Sequence, residues 1–156
     1  MGAENEKSTK LLDETGQRIL QTLQKEARLS FSEIGRRVGL STSAVIERVQ
    51  RMEEAGIING YHAAVDAQKL GYSMLVFIRL HTAPERYPRV QAIVESMPEV
   101  LECYHVTGEE SFVMKVVVES VSQLEGIIQR LSPFGKTATS VVLSTTIRRE
   151  VLKCCV

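Results

Sequence analysis

No apolar run in this chain approaches the roughly 20 residues that a membrane-crossing helix needs, and the first ten residues are polar, with no apolar stretch of the secretory kind. The expectation is a cytoplasmic protein with no membrane partner, opening on a disordered leader over 1–10. Cysteine is scarce. Cys103, Cys154 and Cys155 make an odd count without metal-ligand spacing, and adjacent cysteines such as Cys154 and Cys155 do not close a relaxed disulfide, so reduced thiols are expected. His62, His81 and His105 are scattered, no glycine-rich phosphate loop is present, and no nucleophile has a recognisable signature. Together these absences argue against a metal site, a cofactor or a catalytic centre. An enzyme reading would have to lean on His105, which lies close to Gly108.

Net charge is lacking too. Nineteen basic residues balance 19 acidic ones, whereas nucleic-acid binders often carry a positive excess. The distribution matters more than the sum, because Arg36, Arg37, Arg48 and Arg51 are opposed by Glu47 alone between positions 36 and 51. A focused basic patch suffices for phosphate contacts.

That patch falls on the most informative segment of the chain, 29–58. Ser30 begins a capping box, its hydroxyl placed to accept from the Glu33 N–H while the Glu33 carboxylate reaches back, and Leu29 with Ile34 has the spacing of a hydrophobic staple. The pattern repeats at Ser41, with Leu40 and Val45 as the second staple. Gly39 suits the left-handed residue that ends a helix, so only Gly39 and Leu40 separate the first helix from the next cap. A helix-turn-helix follows, with Ser41 to about Ala55 as the member able to enter a DNA major groove.

Ahead of it, Asp13 is a candidate cap for a helix to about Glu26 carrying Leu12, Ile19, Leu20 and Leu23 on one face. Its partners are Ile34 and Val38, then Val45, Val49 and Met52. Gly56 ends the third helix, and Asn59-Gly60 precedes an alternation suited to a wing or linker strand. After Gly71 the order becomes strand (72–80), helix (84–97), strand (100–106), strand (112–118), helix capped by Ser122, strand (138–147). This is βαββαβ, a ferredoxin-like arrangement. The fold class is therefore α+β, with a helix-turn-helix domain over 11–60, a linker strand over 61–71 and a ferredoxin-like domain over 72–153. Tyr72, Val76, Ile78, Met114, Val116 and Val142 are read as supplying both sheet faces, and an apolar open face predicts a dimer made by two sheets packing together.

These residues resemble those of the leucine-responsive and asparagine-operon regulator family, Lrp/AsnC, over about 11–153. The matching features are Leu12 and Asp13 followed by Ile19 and Leu20, then Val38-Gly39-Leu40-Ser41, then Val45, Arg48, Val49 and Glu53, then Gly56-Ile57-Ile58 with Gly60-Tyr61, and finally Leu70-Gly71 before the effector domain. The resemblance implies a transcriptional regulator whose dimers assemble to tetramers or octamers and bind double-stranded DNA, with an amino acid or related small molecule as effector. Two positions depart from the family pattern. Gly16 stands where an acidic residue is common, at a helix-propensity cost of about 1 kcal/mol relative to Ala. Ser111 stands where amino-acid-responsive members tend to carry Asp, which leaves Glu109 or Glu110 as substitutes, a ligand without an α-amine, or no ligand.

For DNA, Thr42, Ser43 and Glu47 are the base-edge candidates at the start of the recognition helix, the capping Ser41 is a further DNA-binding candidate, Arg48 and Arg51 reach phosphate or guanine, and Arg36 and Arg37 reach the backbone from the preceding helix. The structural alternative is a solvated face in which Glu47 merely pairs with Arg51. For an effector, the candidates are Gly108, Glu109, Glu110 and Ser111, with Thr139, Ser140 and Val141 on the facing last strand and another subunit completing the pocket. Two other functional classes remain: a decarboxylase-like enzyme on the same fold, and an assembly or architectural protein without an effector.

Overall fold

The computed structural model describes residues 11–149 and 151–154; the leader over 1–10 and Cys155 lie outside the described residues. The chain forms two compact units, one of residues up to Ala63 together with those from Ile147 onward, the other Ala64–Thr146. The C-terminal segment thus groups with the helices, whereas the sequence reading carried the second domain to 153. The Gln24 side-chain amide explains the grouping: it donates to the Leu152 carbonyl at 3.1 Å and accepts from the Leu152 N–H at 2.7 Å.

The first unit holds α1 (Glu14–Lys25), α2 (Phe31–Val38) and α3 (Thr42–Glu54). Each starts on a side-chain cap: Asp13 accepts from the Gly16 N–H at 2.7 Å, Ser30 from Glu33 at 3.2 Å and Ser41 from Ala44 at 3.3 Å. The capping box at Ser30 is only half formed, because the Glu33 carboxylate is taken by Arg36 and Arg37 instead of turning back. Gly39, at φ 77°, ends α2, and the Gly35 carbonyl accepts from both Gly39 N–H (2.8 Å) and Leu40 N–H (2.9 Å). Those two bonds fold the chain into the tight turn that delivers Ser41 to the next helix. Ile19, Leu23, Ile34, Val38, Val45 and Val49 form the core, with Leu29 and Leu40 packed against it as the two staples require.

Gly16 proves to be more than a propensity cost. A Cβ there would stand 1.9 Å from the Leu11 carbonyl oxygen, so the close approach excludes every side chain. The wing or linker strand is not formed: no strand lies between α3 and Met74, and Asn59-Gly60 makes no hairpin. A single 3-10 turn, Gln68–Leu70, occupies that stretch.

The second unit is β1 (Met74–His81), a 3-10 turn at Pro84–Arg86, α4 (Tyr87–Glu95), β2 (Val100–His105), β3 (Phe112–Val118), α5 (Val121–Leu131) and β4 (Lys136–Val141). The antiparallel sheet has the order β2-β3-β1-β4, the ferredoxin-like topology. Ser120, not Ser122, caps α5, accepting from the Gln123 N–H at 3.2 Å. The last strand also ends earlier than expected, at Val141 rather than 147.

Side-chain alternation sorts the sheet faces. Val76, Ile78 and Leu80 on β1 and Met114 and Val116 on β3 are buried with Val90, Val94, Leu124, Ile127 and Leu131 of the two helices. The residues expected to serve both faces therefore do not: Val76, Ile78, Met114 and Val116 all serve the helix-covered one. Leu75, Phe77 and Arg79 on β1 and Val113, Lys115 and Val117 on β3 take the opposite face, where Lys115 pairs with Glu102 at 2.6 Å and the half-exposed Tyr104 bonds the same carboxylate.

Candidate nucleic-acid interface

The core-facing side of α3 is Val45, Val49 and Met52, each at most 1% exposed. At about 100° per residue, the stripe opposite consists of Ser43, Glu47, Gln50 and Glu54, all exposed. Thr42 and Ser43 stand exposed in the first turn, with the Ser43 hydroxyl 3.1 Å from that of the capping Ser41. Of the predicted base-edge residues, Ser43 and Glu47 share the exposed stripe, while Thr42, like the capping Ser41, is exposed at the start of the helix.

The arginines divide into two groups. Arg51 pairs with Glu47 at 2.5 Å, and both side chains are more than 60% exposed. Arg36 holds Glu33 through two bonds of 2.7 and 3.0 Å, and Arg37 spans Glu33 at 3.1 Å and Glu26 at 2.8 Å. Hydrogen bonds from Arg36 and then Arg37 pull the Glu33 carboxyl down to about 2. Solvent screens exposed pairs of this kind, so a phosphate can displace the carboxylate at little cost. The local basic surplus seen in sequence is thereby offset by Asp13, Glu26 and Glu33, all from outside the 36–51 window.

Arg48 differs from the others. Its guanidinium grips both oxygens of Asp13, at 2.8 and 3.0 Å, and its side chain is the least exposed of the four paired arginines. The Arg48 bond, followed by the Gly16 N–H, holds the Asp13 carboxyl below its usual range. Sequence reasoning placed Arg48 on phosphate or guanine; the geometry ties it to the cap of α1.

Gln50 was missed, although its place seven residues after Ser43 and three after Glu47 was readable from helical spacing alone. It is exposed, and its amide makes no hydrogen bond among the described residues.

In the second unit the residues read as an effector site do not gather. The turn with Gly108 at φ 114° joins β2 to β3, whereas Thr139, Ser140 and Val141 lie on β4 at the far edge, with β1 between, a gap of about 10 Å at ordinary strand spacing. Nor do those three share a face. Thr139 and Val141 pair in register with core residues Ile78 and Val76, while Ser140 pairs with Phe77 and lies 3.4 Å from an Arg79 nitrogen on the other side.

Ser111 is committed internally as well. It is 7% exposed, its hydroxyl donates to the Thr82 carbonyl at 2.9 Å and accepts from the Thr82 N–H at 3.2 Å, and its own N–H bonds Leu80 at 2.9 Å. Ser111 locks the turn onto the end of β1, with its buried hydroxyl committed to the Thr82 backbone. Among the described residues the Glu109 and Glu110 carboxylates have no partner, while the Glu109 carbonyl meets His81 Nδ1. His105 packs between Tyr87 and Phe112, with ring centroids 4.7 and 5.2 Å away. Among the described residues no group of three or more His, Cys, Asp or Glu is placed to hold a metal, and no helix is long and apolar enough to cross a membrane.

Comparison with known proteins joins the two units. Residues 12–53 match the AsnC-type helix-turn-helix domain, and residues 75–152 match the Lrp/AsnC ligand binding domain. The chain is 33% identical over 133 residues to the HTH-type transcriptional regulator LrpC of Bacillus subtilis, covering 85% of this chain and 92% of that protein. The structure of Escherichia coli AsnC superposes with a TM-score of 0.83 at 32% identity, over 90% of this chain and 97% of that one. A transcriptional regulator of Neisseria meningitidis in complex with L-Met superposes with a TM-score of 0.84 at 28% identity, over 90% of this chain and 96% of that one. These relatives are named as transcriptional regulators rather than enzymes, which removes the decarboxylase-like alternative. With both of its domains matched in order and its relatives covered nearly end to end, the chain belongs to the Lrp/AsnC family of transcriptional regulators.

Proposed function

We propose that this protein is a cytoplasmic, sequence-specific DNA-binding regulator that acts as a dimer-based oligomer and answers to a small-molecule effector. The observation that carries the reading is α3 itself: a capped helix, delivered by a two-residue turn, whose core side is buried and whose opposite stripe is exposed and polar. Thr42 and Ser43, with Ser41 at the cap, meet base edges from the N-terminal end of the helix. Arg51, Arg36 and Arg37 exchange their exposed carboxylate partners for phosphates, and Arg48 holds the helix in place.

The effector is an amino acid or a related small molecule, a reading supported by the matched ligand-binding domain and by the L-Met complex of the Neisseria relative. Its contacts come from the backbone of the Gly108 turn and from the carboxylates of Glu109 and Glu110, with the backbone edge of β4 at Thr139, Ser140 and Val141 contributing from a neighbouring subunit. Oligomerisation to a dimer, and from there to a tetramer or octamer, uses the sheet face that the helices leave open. Phe77, Leu101 and Tyr104 are large side chains 37–53% exposed in the strands of that sheet, and burying them favours association.

The test is titration of the full chain against DNA from its own promoter region and against scrambled DNA, at two salt concentrations, with and without a mixture of amino acids. Preferential binding that shifts with the amino acids is expected. Sequence-blind, salt-sensitive binding would replace the regulator reading with an architectural one, and absence of binding would remove both.

A further inference from the structure

We propose that Gln50 reads an adenine and sets the base preference at one position of the operator, an inference that rests on the DNA-binding reading above. Most polar side chains on the recognition helix already have a partner in the fold. Ser43 is bonded to Ser41, Glu47 and Arg51 are bonded to each other, and Arg48 is held by Asp13. On the stripe facing away from the core, Gln50 and Glu54 alone keep all their side-chain polar atoms unengaged among the described residues. Glu54 is the last residue of α3, farthest from the end that enters a groove, and its carboxylate can only accept. Gln50 lies in the middle of the stripe.

Its chemistry is specific. A primary amide presents one donor and one acceptor side by side, the complement of the N6 amino group and N7 that adenine shows in the major groove. Ser43 and Thr42 offer hydroxyls that donate or accept equally and so discriminate weakly. Glu47 can only accept, and it is free to meet a base only once Arg51 has exchanged it for a phosphate. Among the residues named here, Gln50 is therefore the one able to tell one base pair from the others without first breaking an intramolecular bond.

The position also fits the ruler of DNA. Seven residues of helix separate Ser43 from Gln50, a rise of about 10 Å, which is about three base-pair steps of 3.4 Å. Within the helix Gln50 has no task that requires an amide: it touches no cap and bridges no neighbouring element. Its replacement leaves the core of Val45, Val49 and Met52 untouched.

The experiment is selection of binding sites from a pool of random duplex DNA by the full-length wild-type chain, by Gln50→Ala and by Gln50→Glu, alongside titration of each against scrambled DNA over a salt series. In the wild-type protein one position of the selected half-site is expected to favour an A·T pair by about tenfold or more. In Gln50→Ala that preference falls to within about twofold while every other position is kept. Gln50→Glu, an acceptor only, moves the preference at that same position toward cytosine. Affinity for scrambled DNA and its salt dependence stay unchanged in Gln50→Ala, because no phosphate contact is lost. An unaltered selected sequence with Gln50→Ala overturns the proposal, as does a uniform loss of affinity for all sequences. If the wild-type chain itself enriches no sequence, the regulator reading fails, and the role of Gln50 falls with it.

Discussion

Asp13 and Arg48 lie 35 residues apart in sequence, and in the fold the Arg48 guanidinium grips both Asp13 carboxylate oxygens while one of them also accepts the Gly16 N–H. One side chain therefore caps α1 and anchors the recognition helix. The orientation of α3 against α1 depends on a carboxylate outside the helix-turn-helix segment proper.

Two substitutions separate those jobs. Asp13→Asn keeps a capping oxygen and loses the charge pair, whereas Asp13→Ala loses both. Chemical denaturation is expected to find Asp13→Ala less stable than wild type by about 1–2 kcal/mol, with Asp13→Asn losing less than half of that. Equal losses would mean that the cap contributes nothing.

On DNA, Arg48→Ala is expected to weaken binding without changing its salt dependence, since the guanidinium is engaged by Asp13 rather than by phosphate. Arg51→Ala, by contrast, should reduce the salt slope by about one phosphate contact. Binding titrations from low to high salt read the difference directly.

At Ser111 the buried hydroxyl serves both backbone polar groups of Thr82, which is itself 6% exposed. Ser111→Ala leaves the Thr82 N–H without a partner and is expected to cost about 1–3 kcal/mol in an unfolding experiment. Any change in effector response would then follow from a loosened turn rather than from a lost ligand contact.

Gly35→Ala tests the turn of the helix-turn-helix. A Cβ at Gly35 would stand 2.6 Å from the Leu40 carbonyl oxygen, and backbone must move to admit it. The expected loss is about 1–3 kcal/mol, with a drop in DNA affinity because Ser41 and the start of α3 shift with Leu40.

Acid should weaken the first unit through Glu33. Its carboxyl is lowered from 4.5 to about 2 by Arg36 and Arg37, so the folded state holds the ionised form more favourably than the unfolded chain does. The contribution is full above the unfolded value and is lost as pH falls through the folded one. Thermal unfolding of wild type between pH 5 and pH 2 should therefore decline more steeply than that of Glu33→Gln, and the two curves should converge at the acid end.

Local signals carried the helical unit well, because caps, staples and Gly39 act over four or five residues and their outcome is decided within that distance. Ser30, Ser41, Leu29 and Leu40 do in the fold what their spacing implies. Errors of the same range arose where two local options compete: Ser120 outranks Ser122 as a cap, and Glu33 turns toward two arginines instead of toward its own cap. Asn59-Gly60 carries a hairpin signal, but with no partner strand paired to it in the chain the hairpin does not form.

By itself, the sequence determined the order and type of the elements on either side of the 61–71 stretch, the family, and the polar stripe of α3, since periodicity and capping are properties of neighbours along the chain. Tertiary structure alone decided which charges are free. Asp13 reaches Arg48 across 35 residues and Ser111 reaches Thr82 across 29, and no spacing rule announces either meeting. It also decided that the strand carrying Thr139 and Ser140 lies at the far edge of the sheet from the Gly108 turn. A side chain's availability for DNA or ligand depends on what the packed fold has already bonded it to, and that is settled only when distant segments come together.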